Sequence, residues 1–226
     1  MLVNYPSWEA LMIITIGGQK GGSGKSCLAQ NLSVALVNEG YRVLLIDADP
    51  QQTSSDWADE RSGTDAPALN HQAMTGDISK TAVALAESGR ILIIDCGGRD
   101  TRELRSAMVV SDVILIPTRP KRRDLKTLDY VSDLVEKSRI TNPALIARTV
   151  ISQAPTLPSQ VKRILDAKAV ADSFNLPALE SVIFTRNVYD DAEESGLSVF
   201  EADDEKAKKE ISQTLFEVLA LMGDNK

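Results

Sequence analysis

The chain has 226 residues, 43% of them hydrophobic, with a formal net charge of −7. That length supports one domain with a substantial core. The acidic balance excludes a protein coated with positive charge for nucleic acid, though not a local basic patch. Two cysteines make no disulfide framework and point to a reducing, cytoplasmic setting.

Asn4, Pro6 and Ser7 break any periodicity, so residues 1–11 read as an irregular N-terminal extension and 12–226 as a single domain. The stretch up to Gln19 carries one charge, Glu9, but lacks the basic start of a signal peptide. Its apolar part runs directly into a glycine-rich loop. Short apolar, β-branched runs predict strands over 12–17, 42–47, 91–95, 112–117, 145–151 and 179–184. Amphipathic segments predict helices over 25–39, 52–60, 78–88, 101–110, 122–138, 159–173, 188–194 and 202–222. Gly40 and Gly89 mark helix ends, and Pro143 and Pro177 precede later strands. Such alternation is the signature of βαβ units. It implies an α/β fold with a mainly parallel twisted sheet flanked by helices on both faces. No segment approaches the length of a membrane span. Ile211, Leu215, Val218, Leu219 and Met222 give the last helix an apolar stripe, with no Lys or Arg between Glu210 and Lys226. A helix without cations suits a core better than an anionic membrane.

Between the first strand and first helix stands Lys20-Gly21-Gly22-Ser23-Gly24-Lys25-Ser26. Strand, glycine loop and helix N-terminus together make a phosphate cradle, because converging backbone N–H groups and the helix dipole favour an anion. Lys25 reaches the β/γ-phosphates in such a loop, and the Ser26 hydroxyl holds Mg²⁺. The strict G-x-x-x-x-G-K-[ST] pattern fails at Gln19, and Lys20 supplies a second cation that one subunit has little use for. The second strand ends in Asp47-Ala48-Asp49-Pro50-Gln51, and the third in Asp95-Cys96-Gly97-Gly98. All three motifs fall at C-terminal ends of strands, where open α/β sheets bind ligands.

These three motifs, in this order and at this spacing, resemble the ParA/MinD family of deviant Walker A P-loop ATPases, and the ParA-like partition ATPases within it. The resemblance implies a P-loop NTPase fold, ATP and Mg²⁺ as cofactors, and slow, partner-stimulated hydrolysis. It implies that Gly21, Gly22, Ser23, Gly24, Lys25, Ser26 and Cys27 cradle the nucleotide, and that Arg186 and Asn187 belong to a segment lining the adenine pocket. It casts Lys20 as the signature lysine, which crosses the interface of an ATP-sandwiched homodimer. It assigns Asp49 to the attacking water, Asp47 to the Mg²⁺ and water shell, and Asp95 to a magnesium-bound water. Lys20, Lys25, Asp47 and Asp49 are thus the expected catalytic set, and Ser26, Asp47 and Asp95 the metal set. Three departures stand out. Gly97-Gly98 replaces two prolines and suggests a flexible γ-phosphate switch; Ser26-Cys27 stands where threonines are common; and Tyr189 occupies a position that often holds a DNA-binding arginine. Related dimeric ATPases bridge an iron–sulfur cluster, but Cys27 and Cys96 form no C-x-x-C pair and read as small buried side chains.

Function beyond ATP hydrolysis rests on basic residues. Arg119, Lys121, Arg122, Arg123 and Lys126 surround a single acid, Asp124. This cluster is equally a DNA-phosphate surface and a solvated helix start. Lys121, Arg122, Arg123, Lys162, Arg163 and Arg186 are the DNA-binding candidates; Lys206, Lys208 and Lys209 are interleaved with acids. By resemblance the ATP dimer binds DNA without sequence preference, and a ParB-like centromere-binding partner stimulates hydrolysis, so plasmid or chromosome DNA is segregated on the nucleoid. Alternatives are a positioning ATPase for a protein assembly and a metabolic P-loop ligase. The lone His71 reads as surface or structural.

Overall fold

The computed structural model describes residues 12–223; the extension expected at 1–11 lies outside them. Seven parallel strands form one sheet: β1 Met12–Ile16, β2 Val43–Ala48, β3 His71–Ala73, β4 Ile91–Cys96, β5 Val113–Thr118, β6 Ile146–Ala154 and β7 Ala178–Phe184. Among the described residues nine α-helices connect and cover them: α1 Lys25–Asn38, α2 Thr53–Ser62, α3 Ser79–Ala86, α4 Arg102–Val110, α5 Arg122–Leu125, α6 Leu128–Arg139, α7 Val161–Ser173, α8 Asn187–Glu193 and α9 Glu205–Gly223. The strand order is β3-β2-β4-β1-β5-β6-β7.

Strands β1, β2, β4 and β5 are buried along their whole length, as a parallel sheet covered on both faces requires. Side-chain alternation divides the core between the two faces. Met12, Ile14 and Ile16 join Leu32, Leu36, Trp57, Ile211 and Leu215 beneath α1, α2 and α9. Ile13, Ile46 and Ile94 join Leu104, Met108 and Leu134 beneath α3, α4 and α6. Every apolar residue expected to bury the final helix does so, from Ile211 to Met222. The fold expectation therefore holds, with two corrections. The helix expected over 122–138 is two, α5 and α6, parted at Lys126–Thr127. The edge strand β3 was not expected: three residues, His-Gln-Ala, half-exposed or exposed, carry no apolar periodicity. His71 sits there with Nε2 3.4 Å from Asp59 Oδ1.

β1 pairs with β4 on one side and β5 on the other, while the chain leaves β1 toward β2 and leaves β4 in the opposite direction, toward β5. The direction of the connections switches between the neighbours β1 and β4, and the crevice at the C-terminal ends of those strands is where an open α/β sheet takes a ligand.

Candidate nucleotide-binding site

The glycine loop occupies that crevice. Gly22 (φ +68°) and Gly24 (φ +82°) hold left-handed conformations, which only glycine adopts without strain. Ser23 is buried, and its hydroxyl donates to Lys20 O at 3.2 Å. Lys25 Nζ donates to the same carbonyl at 3.0 Å, so the loop is closed on itself with the ammonium folded against it. Burial pushes the Lys25 ammonium down from its ordinary range, and the carboxylates of Asp95 and Asp49 oppose that shift. Lys20, by contrast, is exposed.

β6 braces the loop from behind. Ser152 Oγ donates to Ser23 O at 2.8 Å, and Gln153 Nε2 donates to Gly22 O at 3.3 Å. Gln153 does so at φ +46°, a conformation that costs a non-glycine residue about 1 kcal/mol or more. Neither residue was singled out from the sequence; a polar pair at the end of an apolar strand carries no signature of its own.

The acids divide their tasks. Asp47 Oδ1 accepts from the Asp49 amide at 3.0 Å and Oδ2 from the Ser55 amide at 2.8 Å. Asp47 therefore orders the turn into α2. Asp49, half-buried, accepts from the Gln51 amide through Oδ1 at 3.0 Å. Asp95 stands beside Asp47 in the sheet register. Ser54 Oγ donates to its Oδ2 at 2.8 Å, while Oδ1 is buried without a partner among the described residues. Burial pushes the Asp95 carboxyl up to about 7; Ser26 and Ser54 hydroxyls pull it down, and Asp47 pushes it further up. A divalent cation fits this arrangement, because it would neutralise a buried carboxylate whose second oxygen lacks a donor. Mg²⁺ in phosphate sites takes few protein ligands and keeps several waters.

The diglycine has a steric basis. A Cβ on Gly97 would lie 3.1 Å from Asp49 Oδ2, and one on Gly98 2.9 Å from Gly21 N. The segment after β4 thus lies on the signature loop, as close as backbone can approach. Beyond it, Asp100 accepts from Arg105 and Tyr130, and the Arg105 bond first of all holds its carboxyl down at about 2.

The loop, Asp49 and the end of β7 border a cavity of about 540 Å³, lined by Gly21, Gly22, Gly24, Lys25, Ser26, Cys27, Asp49 and Gly98, with Phe184, Arg186, Tyr189 and Glu193 opposite; Asp47 and Asp95 lie outside the lining. Arg186 is in the wall but paired to Glu210, Nη2 to Oε1 2.6 Å; the same carboxylate accepts from the buried Tyr189 hydroxyl at 3.0 Å. Arg186 is therefore a wall of the cavity rather than a free surface cation, and Tyr189 belongs to the core. Asn187 is exposed and outside the lining. Cys96 is fully buried and Cys27 half-buried, and burial pushes both thiols up. Away from this cavity, Arg122 and Lys126 of the α5 region and Arg163 of α7 share one groove of about 510 Å³. The fold thus unites two basic segments that the sequence keeps forty residues apart. Lys121, Arg123 and Lys162 are exposed beside them.

Residues 14–199 match the family model described as the CobQ/CobB/MinD/ParA nucleotide binding domain. A maintenance of carboxysome distribution protein A from Halothiobacillus neapolitanus is 29% identical over 212 residues, covering 91% of this chain and 95% of that protein. The chromosome partitioning protein ParA of Caulobacter vibrioides is 27% identical, covering 80% and 83%. Among solved structures, apo McdA from Cyanothece superposes with a TM-score of 0.75 at 18% identity, over 93% of this chain and all of that one. A Mycobacterium smegmatis cobyrinic acid a,c-diamide synthase with bound ATP analog and magnesium gives 0.76 at 18%, over 96% and 97%. These two likenesses concern the fold alone. With the family model spanning most of the chain and the glycine loop built as described, the protein belongs to the CobQ/CobB/MinD/ParA family of nucleotide-binding P-loop proteins.

Proposed function

We propose that the chain is a Mg²⁺-dependent ATPase that switches between a monomer or ADP form and an ATP-sandwiched homodimer. The observation that carries this reading is the contrast between its two loop lysines: Lys25 is folded into the loop, and Lys20 stands exposed at its rim. An exposed cation at the rim suits nucleotide charge shared with a second copy. Ser26 and Asp95 would hold Mg²⁺, which neutralises phosphate charge when bound. Asp49, freer than Asp47 and set beside Gly97, is the acid to orient the attacking water, and Asp47 keeps its turn in place. Each nucleotide state binds partners with a different affinity, and that difference drives a cycle.

Non-specific DNA is the track in this reading, held by Lys121, Arg122, Arg123, Lys162 and Arg163 around the groove that Arg122, Lys126 and Arg163 share with Asp166. The groove's assembly from two distant segments supports it. A ParB-like partner would stimulate hydrolysis and release, placing the protein on the nucleoid. A second reading of the cargo has its own support: a relative named for carboxysome distribution aligns along nearly its whole length. A protein assembly is therefore an alternative cargo to plasmid or chromosome DNA. A metabolic ligase has no comparable support in the site.

The test is DNA binding by a hydrolysis-blocked Asp49→Ala variant with ATP, with ADP, and with Lys20→Ala added, across a salt series. Binding that needs ATP and Lys20, with log K falling against log salt at a slope of about −3 or steeper, is expected for several phosphate contacts. Intact ATP dimerisation with no DNA binding in any state removes DNA as the track.

A further inference from the structure

Arg119 follows β5 by one residue and behaves unlike the cations beside it. Lys121, Arg122 and Arg123 are exposed, whereas the Arg119 side chain is 19% exposed. Its Nε and Nη2 both donate to the carboxylate of Asp124, Nη2 to Oδ1 at 3.3 Å. Asp124 is itself 2% exposed. Arg119 Nη1 has no hydrogen-bond partner among the described residues, and it lies 4.0 Å from where a Cβ on Gly22 would sit. A guanidinium presents its donors in a rigid plane, so fixing one edge aims the other. Here Asp124 grips one edge, and the free edge faces the glycine loop.

Neutralising Asp124 explains the ion pair. It does not explain why the free edge is turned toward Gly22, since the same pair could form with the fork turned to solvent. We propose that Arg119 is a phosphate-positioning residue, a third cation of the loop beside Lys20 and Lys25, held in its aim by Asp124. The inference rests on the nucleotide-binding reading. It adds a consequence: ATP carries more charge than ADP, so a fixed cation at the loop favours ATP over ADP. The same ion pair joins the end of β5 to α5, where Arg122 and Arg123 precede Asp124.

The experiment is titration calorimetry of ATP and ADP, each with Mg²⁺, on the wild-type chain, Arg119→Lys, Arg119→Leu and Arg119→Leu/Asp124→Leu. Arg119→Leu alone strands a buried carboxylate and loses folded protein, whereas removing both charges together spares the fold. In the double variant the ATP Kd is expected to rise about tenfold, with ADP changed less than about threefold. Arg119→Lys keeps the charge and recovers part of the ATP affinity. Wild-type ATP affinity in the folded double variant makes Arg119 purely structural and overturns the proposal, as does equal weakening of both nucleotides. A wild-type chain that binds neither nucleotide removes the nucleotide reading, and this inference with it.

Discussion

Two buried charges in this molecule live under opposite conditions. Arg61, 1% exposed, donates to Pro67 O at 2.9 Å, to Gly196 O at 3.3 Å and to both oxygens of Glu201, with its guanidinium 5.4 Å from the centre of the Trp57 ring. Asp95, also 1% exposed, has one oxygen bonded to Ser54 and one with no donor among the described residues. Arg61 is complete and ties α2 to the segment before α9; Asp95 is incomplete and sits beside the phosphate loop. A buried charge with every partner in place is part of the fold. One left short of partners marks a place built for chemistry.

The largest effect expected from breaking this contrast is at the complete end. Arg61→Leu should cost about 3–5 kcal/mol, because Glu201 and two carbonyls lose their partner. Urea unfolding measures it; a loss below about 1 kcal/mol would erase the distinction. At the incomplete end the ranking should invert. Lys25→Ala should weaken ATP binding about 100-fold, since a charge-assisted contact is lost. Its unfolding free energy should stay within about 1 kcal/mol of wild type, because Lys25 bonds one carbonyl and is already disfavoured by burial.

Gly98→Ala tests the seam between the Asp95 segment and the signature loop. With Gly21 N at 2.9 Å and Gly21 Cα at 3.0 Å from the new methyl, the backbone has to part, at about 1–3 kcal/mol. Thermal unfolding reads the strain, and unchanged stability would show that the two segments separate freely. The smallest effect is a pH dependence at the Arg61 node. Burial pushes the Glu201 carboxyl up, but Arg61 and Ser198 outweigh it and hold it below its ordinary 4.5. The folded state therefore binds fewer protons than the unfolded one near that pH. The pair's contribution is present above about pH 4.5 and lost as pH falls through the folded value. Glu201→Gln should flatten this acid limb in unfolding measured from pH 6 to 3.

The positions of the candidate site residues along the fold were legible in the sequence. The apolar runs placed Asp47, Asp49 and Asp95 at strand ends and both lysines on the connection from β1 into α1. Asp47 and Asp95 lie near the ends of β2 and β4, Asp49 just beyond β2, Lys20 in the loop and Lys25 at the start of α1. Arg119 was legible only as one charge in a cluster, because the partner that turns it inward, Asp124, is a buried acid amid exposed bases. Ser152 and Gln153 were illegible for a similar reason. Their contacts with Ser23 and Gly22 cross some 130 residues of chain, and no local pattern encodes them.

Apolar runs that bury both faces of a sheet, and glycines that allow left-handed backbone at the loop, are local properties. The sequence by itself therefore determined six of the seven strands, all but the polar edge strand β3, together with the parallel α/β class and the position of the phosphate loop. Which acid is saturated and which left short, which arginine is gripped and which exposed, depends on groups brought together from distant elements. Those distinctions were decided by the tertiary structure alone, because burial and hydrogen-bond satisfaction belong to the packed chain and not to any stretch of it.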